Sequence, residues 1–156
     1  MFYGCTSLTS APELPATTLA NNCYYNMFQG CSSLTTPPEL PATTLAGGCY
    51  LGMFNGCTSL TKAPSVLPAT TIKDYCYQKM FQGCTSLRTA PAFPATTLTI
   101  NCYLSMFDGC TSLTTAPALP ATTLAPYCYS GMFSQCSSLT TAPSILPATT
   151  LANSCY

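Results

Sequence analysis

The chain has no histidine and almost no charge. Lys62, Lys73, Lys79 and Arg88 balance Glu13, Glu39, Asp74 and Asp108 among 156 residues. Without histidine, Ser-His-Asp and Cys-His arrangements are excluded. Acid–base chemistry would fall to four scattered carboxylates, of which only Glu13 and Glu39 hold equivalent positions, so no enzyme is expected. The glycines are isolated, which leaves no phosphate-cradling loop. No basic run exists to bind nucleic acid or anionic lipid. C-x-x-C pairs are missing too, so zinc spacing is absent and no metal or cofactor is expected. No apolar run approaches the roughly 18 residues of a membrane-crossing helix, and no signal peptide opens the chain.

What is present is one phrase written six times. The wording MFQGCSSLTTPPELPATTLAGGCYLG, at Met27 to Gly52, restarts at Met1, Met27, Met53, Met80, Met106 and Met132. A fixed period of this length marks a stacked-repeat architecture, in which each unit buries its apolar side against its neighbours. The expected organisation is one continuous array over residues 1–156. The third and sixth repeats carry an extra residue at Ser65-Val66-Leu67 and Ser144-Ile145-Leu146. Two such three-repeat superperiods would run two residues past Tyr156, so the chain is expected to be a segment of a longer array, with any targeting signal outside it. At 47% apolar the sequence should fold despite its low charge.

Within a coil, Phe2, Cys5 and Leu8 are spaced by three, which predicts one face of a tight helical or 3₁₀ turn. Glycine at positions 4, 30, 56, 83 and 109, with Gln135 the exception, implies a positive φ or close approach of the adjacent coil. The next segment, LTSAPELP, is held extended by Pro12 and Pro15, which also remove two ladder donors per coil. Thr-Thr-Leu is a second candidate strand, and the variable residues before Cys-Tyr read as a turn. The expected fold is thus a β-rich solenoid of short parallel strands and tight turns. Leu8, Ala11, Leu14, Leu19, Cys23, Met27, Phe28, Cys5 and their copies should face inward. Burying a Leu, Met or Phe contributes about 1.5–3 kcal/mol against an ordering cost of about 1–2 kcal/mol per residue, so a lone coil falls short and the coils must stack.

The motif F-x-G-C-x-S-L followed by an extended segment ending in proline resembles the BspA-like leucine-rich repeats of bacterial surface proteins. It is carried by Phe28, Cys31, Leu34 and Pro41 with their copies, across all six repeats. The resemblance implies a right-handed leucine-rich-repeat solenoid on a cell surface, used in adhesion to host proteins or other cells.

Three sets of residues are candidates for chemistry or contact. Twelve cysteines form two columns: Cys5, Cys31, Cys57, Cys84, Cys110, Cys136, and Cys23, Cys49, Cys76, Cys102, Cys128, Cys155. That content in a histidine-free chain points to an oxidising, extracellular compartment. The columns could join by disulfides within a coil or across an eight-residue link, or remain buried thiols acting as small apolar residues. Thr17, Thr43, Thr70, Thr96, Thr122 and Thr149 each open a Thr-Thr pair. One residue of each pair should face out, giving a hydroxyl row suited to carbohydrate or ice, or merely stiffening the stack. Tyr24, Tyr50, Tyr77, Tyr103 and Tyr129, with Tyr156, are expected outside or half-buried, as an adhesive stripe or as coil-to-coil stacking.

These readings converge on a non-catalytic extracellular scaffold binding host protein, glycan or other cells. The alternative is a filament subunit joined to itself end to end, because neither end carries a polar capping repeat.

Overall fold

Successive repeats are hydrogen-bonded in register. The Phe2 N–H donates to the Met27 carbonyl, Phe28 to Met53, Phe54 to Met80, Phe81 to Met106 and Phe107 to Met132, each at 2.9 Å. A second ladder runs from Gly4 to Gln29, Gly30 to Asn55, Gly56 to Gln82, Gly83 to Asp108 and Gly109 to Ser134, each at 2.8 Å. A computed structural model describes residues Met1–Tyr156, and these ladders run its whole length. We infer from them a stack of six coils, beginning at the six repeat starts.

The ladders depend on an unusual backbone between Ala20 and Leu34. Every second N–H closes a tight turn: Cys23 to Ala20, Tyr25 to Asn22, Met27 to Tyr24, Gln29 to Asn26 and Cys31 to Phe28. Four of the intervening N–H groups, on Asn22, Asn26, Phe28 and Gly30, reach carbonyls of the next coil. Left-handed residues make this possible, with φ of 58° at Asn22, 62° at Tyr24, 48° at Asn26 and 74° at Gly30. Asparagine and glycine adopt that conformation at least cost, which explains their recurrence there. The Phe-x-x-Cys-x-x-Leu face does show the i to i−3 bonds of a tight turn, Cys5 to Phe2 and Leu8 to Cys5. No helix forms, because Gly4 between them sits at φ 70°. Backbone conformation, rather than room, demands this glycine column. A Cβ on Gly30 would lie 3.6 Å from the Gly4 Cα, an ordinary contact, and Gln135 occupies the same column at φ 56°.

On the other side of the coil, pairing is reduced to isolated parallel bridges. Ser10 pairs with Thr36, Lys62 with Thr89 and Thr115 with Thr141 before the prolines; Thr18 pairs with Thr44, Thr44 with Thr71 and Thr97 with Thr123 after them. Prolines lack the N–H that would extend each bridge into a strand.

The core is a single apolar cluster of stacked columns. Phe28, Phe54, Phe81 and Phe107 are fully enclosed. Their rings stack face to face, from 5.5 Å between Phe2 and Phe28 to 5.8 Å between Phe107 and Phe133. The Leu34, Cys31, Met53 and Leu14 columns are buried as expected from their spacing. The Ala11 column is not: apart from Ala116 its interior members are only half covered.

One peptide changes direction along the stack. Tyr50 and Tyr77 donate backward to Cys23 and Cys49, whereas Tyr103 and Tyr129 donate forward to Cys128 and Cys155. The Cys–Tyr peptide has therefore turned over between the third and fourth coils. The turnover leaves the Cys76 and Cys102 carbonyls on facing sides with no backbone donor between them.

Candidate binding surface

The threonine pairs sit where the chain turns a corner. Both members of all six pairs are exposed, from Thr17 and Thr18 to Thr149 and Thr150, although strand alternation leads one to expect a single outward threonine. At two of the junctions between coils the pairing is two against one. The N–H groups of Thr43 and Thr44 both converge on the Thr17 carbonyl, at 3.1 and 3.3 Å. Thr122 and Thr123 do the same at Thr96, at 2.9 and 3.2 Å. Such a bulge breaks the period of two, so Ala42 and Leu45 point inward while both threonines between them point out. Two adjacent columns of hydroxyl and methyl groups thus run the length of the rod. Threonine is stiff at χ1, so the array loses little freedom on contact. The charges nearest to it in sequence are Lys73 and Asp74, just after Thr71, and Glu13 and Glu39, four residues before Thr17 and Thr43.

The tyrosine stripe is corrected. Tyr50, Tyr77, Tyr103 and Tyr129 are buried at 1–3% exposure, and Tyr24 is half-buried. Each follows an inward cysteine and lies on the same side as it, with a positive φ at Tyr24, Tyr50 and Tyr77 and without one at Tyr103 and Tyr129, so tight turns and not strand alternation set their direction. Their rings stack at 5.6 to 5.9 Å, and the Tyr77 and Tyr129 hydroxyls have no hydrogen-bond partner. Burial pushes the phenols of Tyr77 and Tyr103 well above their ordinary range. Of the tyrosine column only the terminal Tyr156 is exposed; the other exposed tyrosines are Tyr3, Tyr25, Tyr75 and Tyr127, which form no continuous row.

All twelve cysteines are free thiols, and no disulfide joins the two columns. A backbone bond accounts for the first column. The Sγ of Cys31 donates to the Phe2 carbonyl at 3.0 Å, and Cys57, Cys84, Cys110 and Cys136 donate to Phe28, Phe54, Phe81 and Phe107 at 3.1 Å. Each of those carbonyls already accepts the N–H three residues on, so the thiol fills its second lone pair. Cys49 and Cys76 repeat the device at Ala20 and Ala46. Cysteine suits the column as a small apolar side chain with one weak donor. Burial pushes the thiols up, Cys57 and Cys102 to about 12 and Cys76 to about 11, so they are poor nucleophiles. No three side chains of the ligating kinds converge as a metal site.

A polar ladder escaped the sequence reading. Asn55 donates to Gln82 at 3.0 Å, and Gln82 donates to Asp108 Oδ2 at 2.8 Å, while Gln29 Oε1 and Asp108 Oδ1 are buried without partners. These residues share the third position of their coils. Its polarity from the second coil on, Gln29, Asn55, Gln82, Asp108 and Ser134 after Tyr3, was the available signal.

No family model matches the chain, and neither the curated proteins nor the solved structures yield a match. No helix is long and apolar enough to cross a membrane.

Proposed function

We propose that this chain is a non-catalytic, extracellular structural and adhesive scaffold, and that its threonine face is the contact surface. The observation that carries the reading is the outward exposure of both threonines in every coil, in register along the rod. A stiff, uncharged array of hydroxyls and methyls complements a partner built the same way, and a neutral glycan is the first of these. Host protein or another cell would be met through the same face. Surface location rests on the likeness of the Phe28, Cys31, Leu34 and Pro41 motif to BspA-like repeats, since cysteines held as thiols give no sign of compartment.

Co-sedimentation with a panel of insoluble neutral polysaccharides tests the proposal. The triple variant Thr44→Lys, Thr71→Lys, Thr97→Lys should bind at least tenfold more weakly than the parent. A control carrying Thr58→Lys, Thr85→Lys and Thr111→Lys, on another exposed row, should bind as the parent does. Equal binding by both variants would refute the role of this face. The same regular rows also suit an ice lattice, and thermal hysteresis without polysaccharide binding would favour that reading.

A further inference from the structure

The two ends of the rod are unlike, and they are complementary. At the C-terminal end Leu151 is 65% exposed and Leu146 48%, whereas Leu45 and Leu40, in the same columns, are 4% and 3% exposed. Beside them Tyr129, Met132, Phe133, Pro143, Leu146 and Tyr156 line an open apolar hollow of about 300 Å³. The N–H groups of Phe133, Gln135 and Ser154 have no acceptor, although every interior counterpart donates to the next coil. At the opposite end the carbonyls of Met1, Tyr3 and Asn21 have no donor, although every interior counterpart accepts from the coil before. One end therefore offers only donors in these three ladders and the other only acceptors.

We propose that the N-terminal face of a second copy of this chain docks on the C-terminal face of the first, continuing the stack head to tail. Three ladders then extend across the junction: Phe133 N–H to the second copy's Met1 carbonyl, Gln135 to Tyr3, and Ser154 to Asn21. The Phe133 ring stacks on Phe2 and the Tyr156 ring on Tyr24, repeating contacts that every coil makes with its neighbour. Two identical ends cannot pair this way, because donors would face donors or acceptors face acceptors, so the junction is polar and open-ended. One peptide opposes the match. The Tyr156 N–H points outward, and the Cys23 carbonyl of the docking copy points away from it, toward Tyr50. Turning over the three backward peptides together, Cys23–Tyr24, Cys49–Tyr50 and Cys76–Tyr77, removes the conflict along with the facing carbonyls of Cys76 and Cys102, and this chain already holds its Cys–Tyr peptides in both orientations. The proposal is independent of the threonine face, which lies along the rod and not at its ends.

Light scattering and electron microscopy on the reduced 156-residue chain, over a thousandfold concentration range, test it. Unbranched rods lengthening with concentration are expected. Leu146→Lys with Leu151→Lys blocks one face, and Phe2→Lys with Tyr3→Lys blocks the other. Each double variant alone should stay monomeric, and an equimolar mixture of the two should stop at dimers. Thermal unfolding of each variant, taken at dilution, verifies that it is folded. The side variant Thr44→Lys, Thr71→Lys, Thr97→Lys should polymerise as the parent does, even if it has lost polysaccharide binding. A parent chain that stays monomeric throughout would overturn the proposal. So would dimers of either single-face variant alone, or a mixture that forms no dimers.

Discussion

Replacing Phe81 by alanine measures how much of the stability lies between coils rather than within them. Phe81 is fully enclosed, and its ring lies 5.5 Å from Phe54 and 5.7 Å from Phe107. Burial of such a side chain contributes about 1.5–3 kcal/mol, and each ring pair adds about 0.5–1.5 kcal/mol. The expected loss is therefore about 4 kcal/mol, within the range of about 3–5 kcal/mol for Phe→Ala in a close-packed core. Phe133 holds the same column in the last coil, half-buried, with a ring on one side only at 5.8 Å. Its replacement should cost about 2 kcal/mol, since half the burial and one of two ring pairs are at stake. Urea unfolding followed by tyrosine fluorescence, in reductant and at dilution, gives both values from the shift in midpoint. Costs equal within about 0.5 kcal/mol, or a larger cost at Phe133, would refute nearest-neighbour stacking as the source of stability.

Stability should fall in alkali. Thiols ordinarily ionise near 9.0, but burial raises Cys57 and Cys102 to about 12 and Cys76 to about 11, so the unfolded chain loses these protons first. The stabilisation is complete below pH 9 and is lost as pH rises toward the folded values. These three thiols together should cost about 4 kcal/mol per unit between pH 9 and 11. A flat urea midpoint over that interval would contradict the burial of the columns. Substitutions at left-handed positions should have opposite signs: Gly83→Ala, at φ 70°, should lose about 1–2 kcal/mol, whereas Lys79→Asn, at φ 55°, should gain up to about 1 kcal/mol. Thermal unfolding of the pair checks this, and a stabilising Gly83→Ala would show that the turn does not need its left-handed residue.

The repeat starts and the Phe, Leu, Met and Cys columns were legible in the sequence, because each follows from spacing; the expected short strands are reduced to isolated bridges, since proline's missing N–H interrupts pairing more than a β-rich reading allowed. Gly4 and its copies announced a backbone constraint, and the structure identifies it as a positive φ. Adjacent residues were harder. Thr43 and Thr44 both face out, and Cys49 and Tyr50 both face in, so an inference from strand alternation erred in each case. Alternation presupposes extended backbone. The bulge at Thr17 and the left-handed turn at Tyr50 both break it, and neither leaves more than a composition of Asn, Gly and Thr to read.

The sequence by itself determined the period, and with it which side chains must recur one above another, because six identical phrases can bury their apolar residues only against copies of themselves. Tertiary structure alone decided which way each peptide points. Hydrogen-bond direction is set between coils and not within one, so only the assembled stack shows a donor face at Phe133, Gln135 and Ser154 and an acceptor face at Met1, Tyr3 and Asn21.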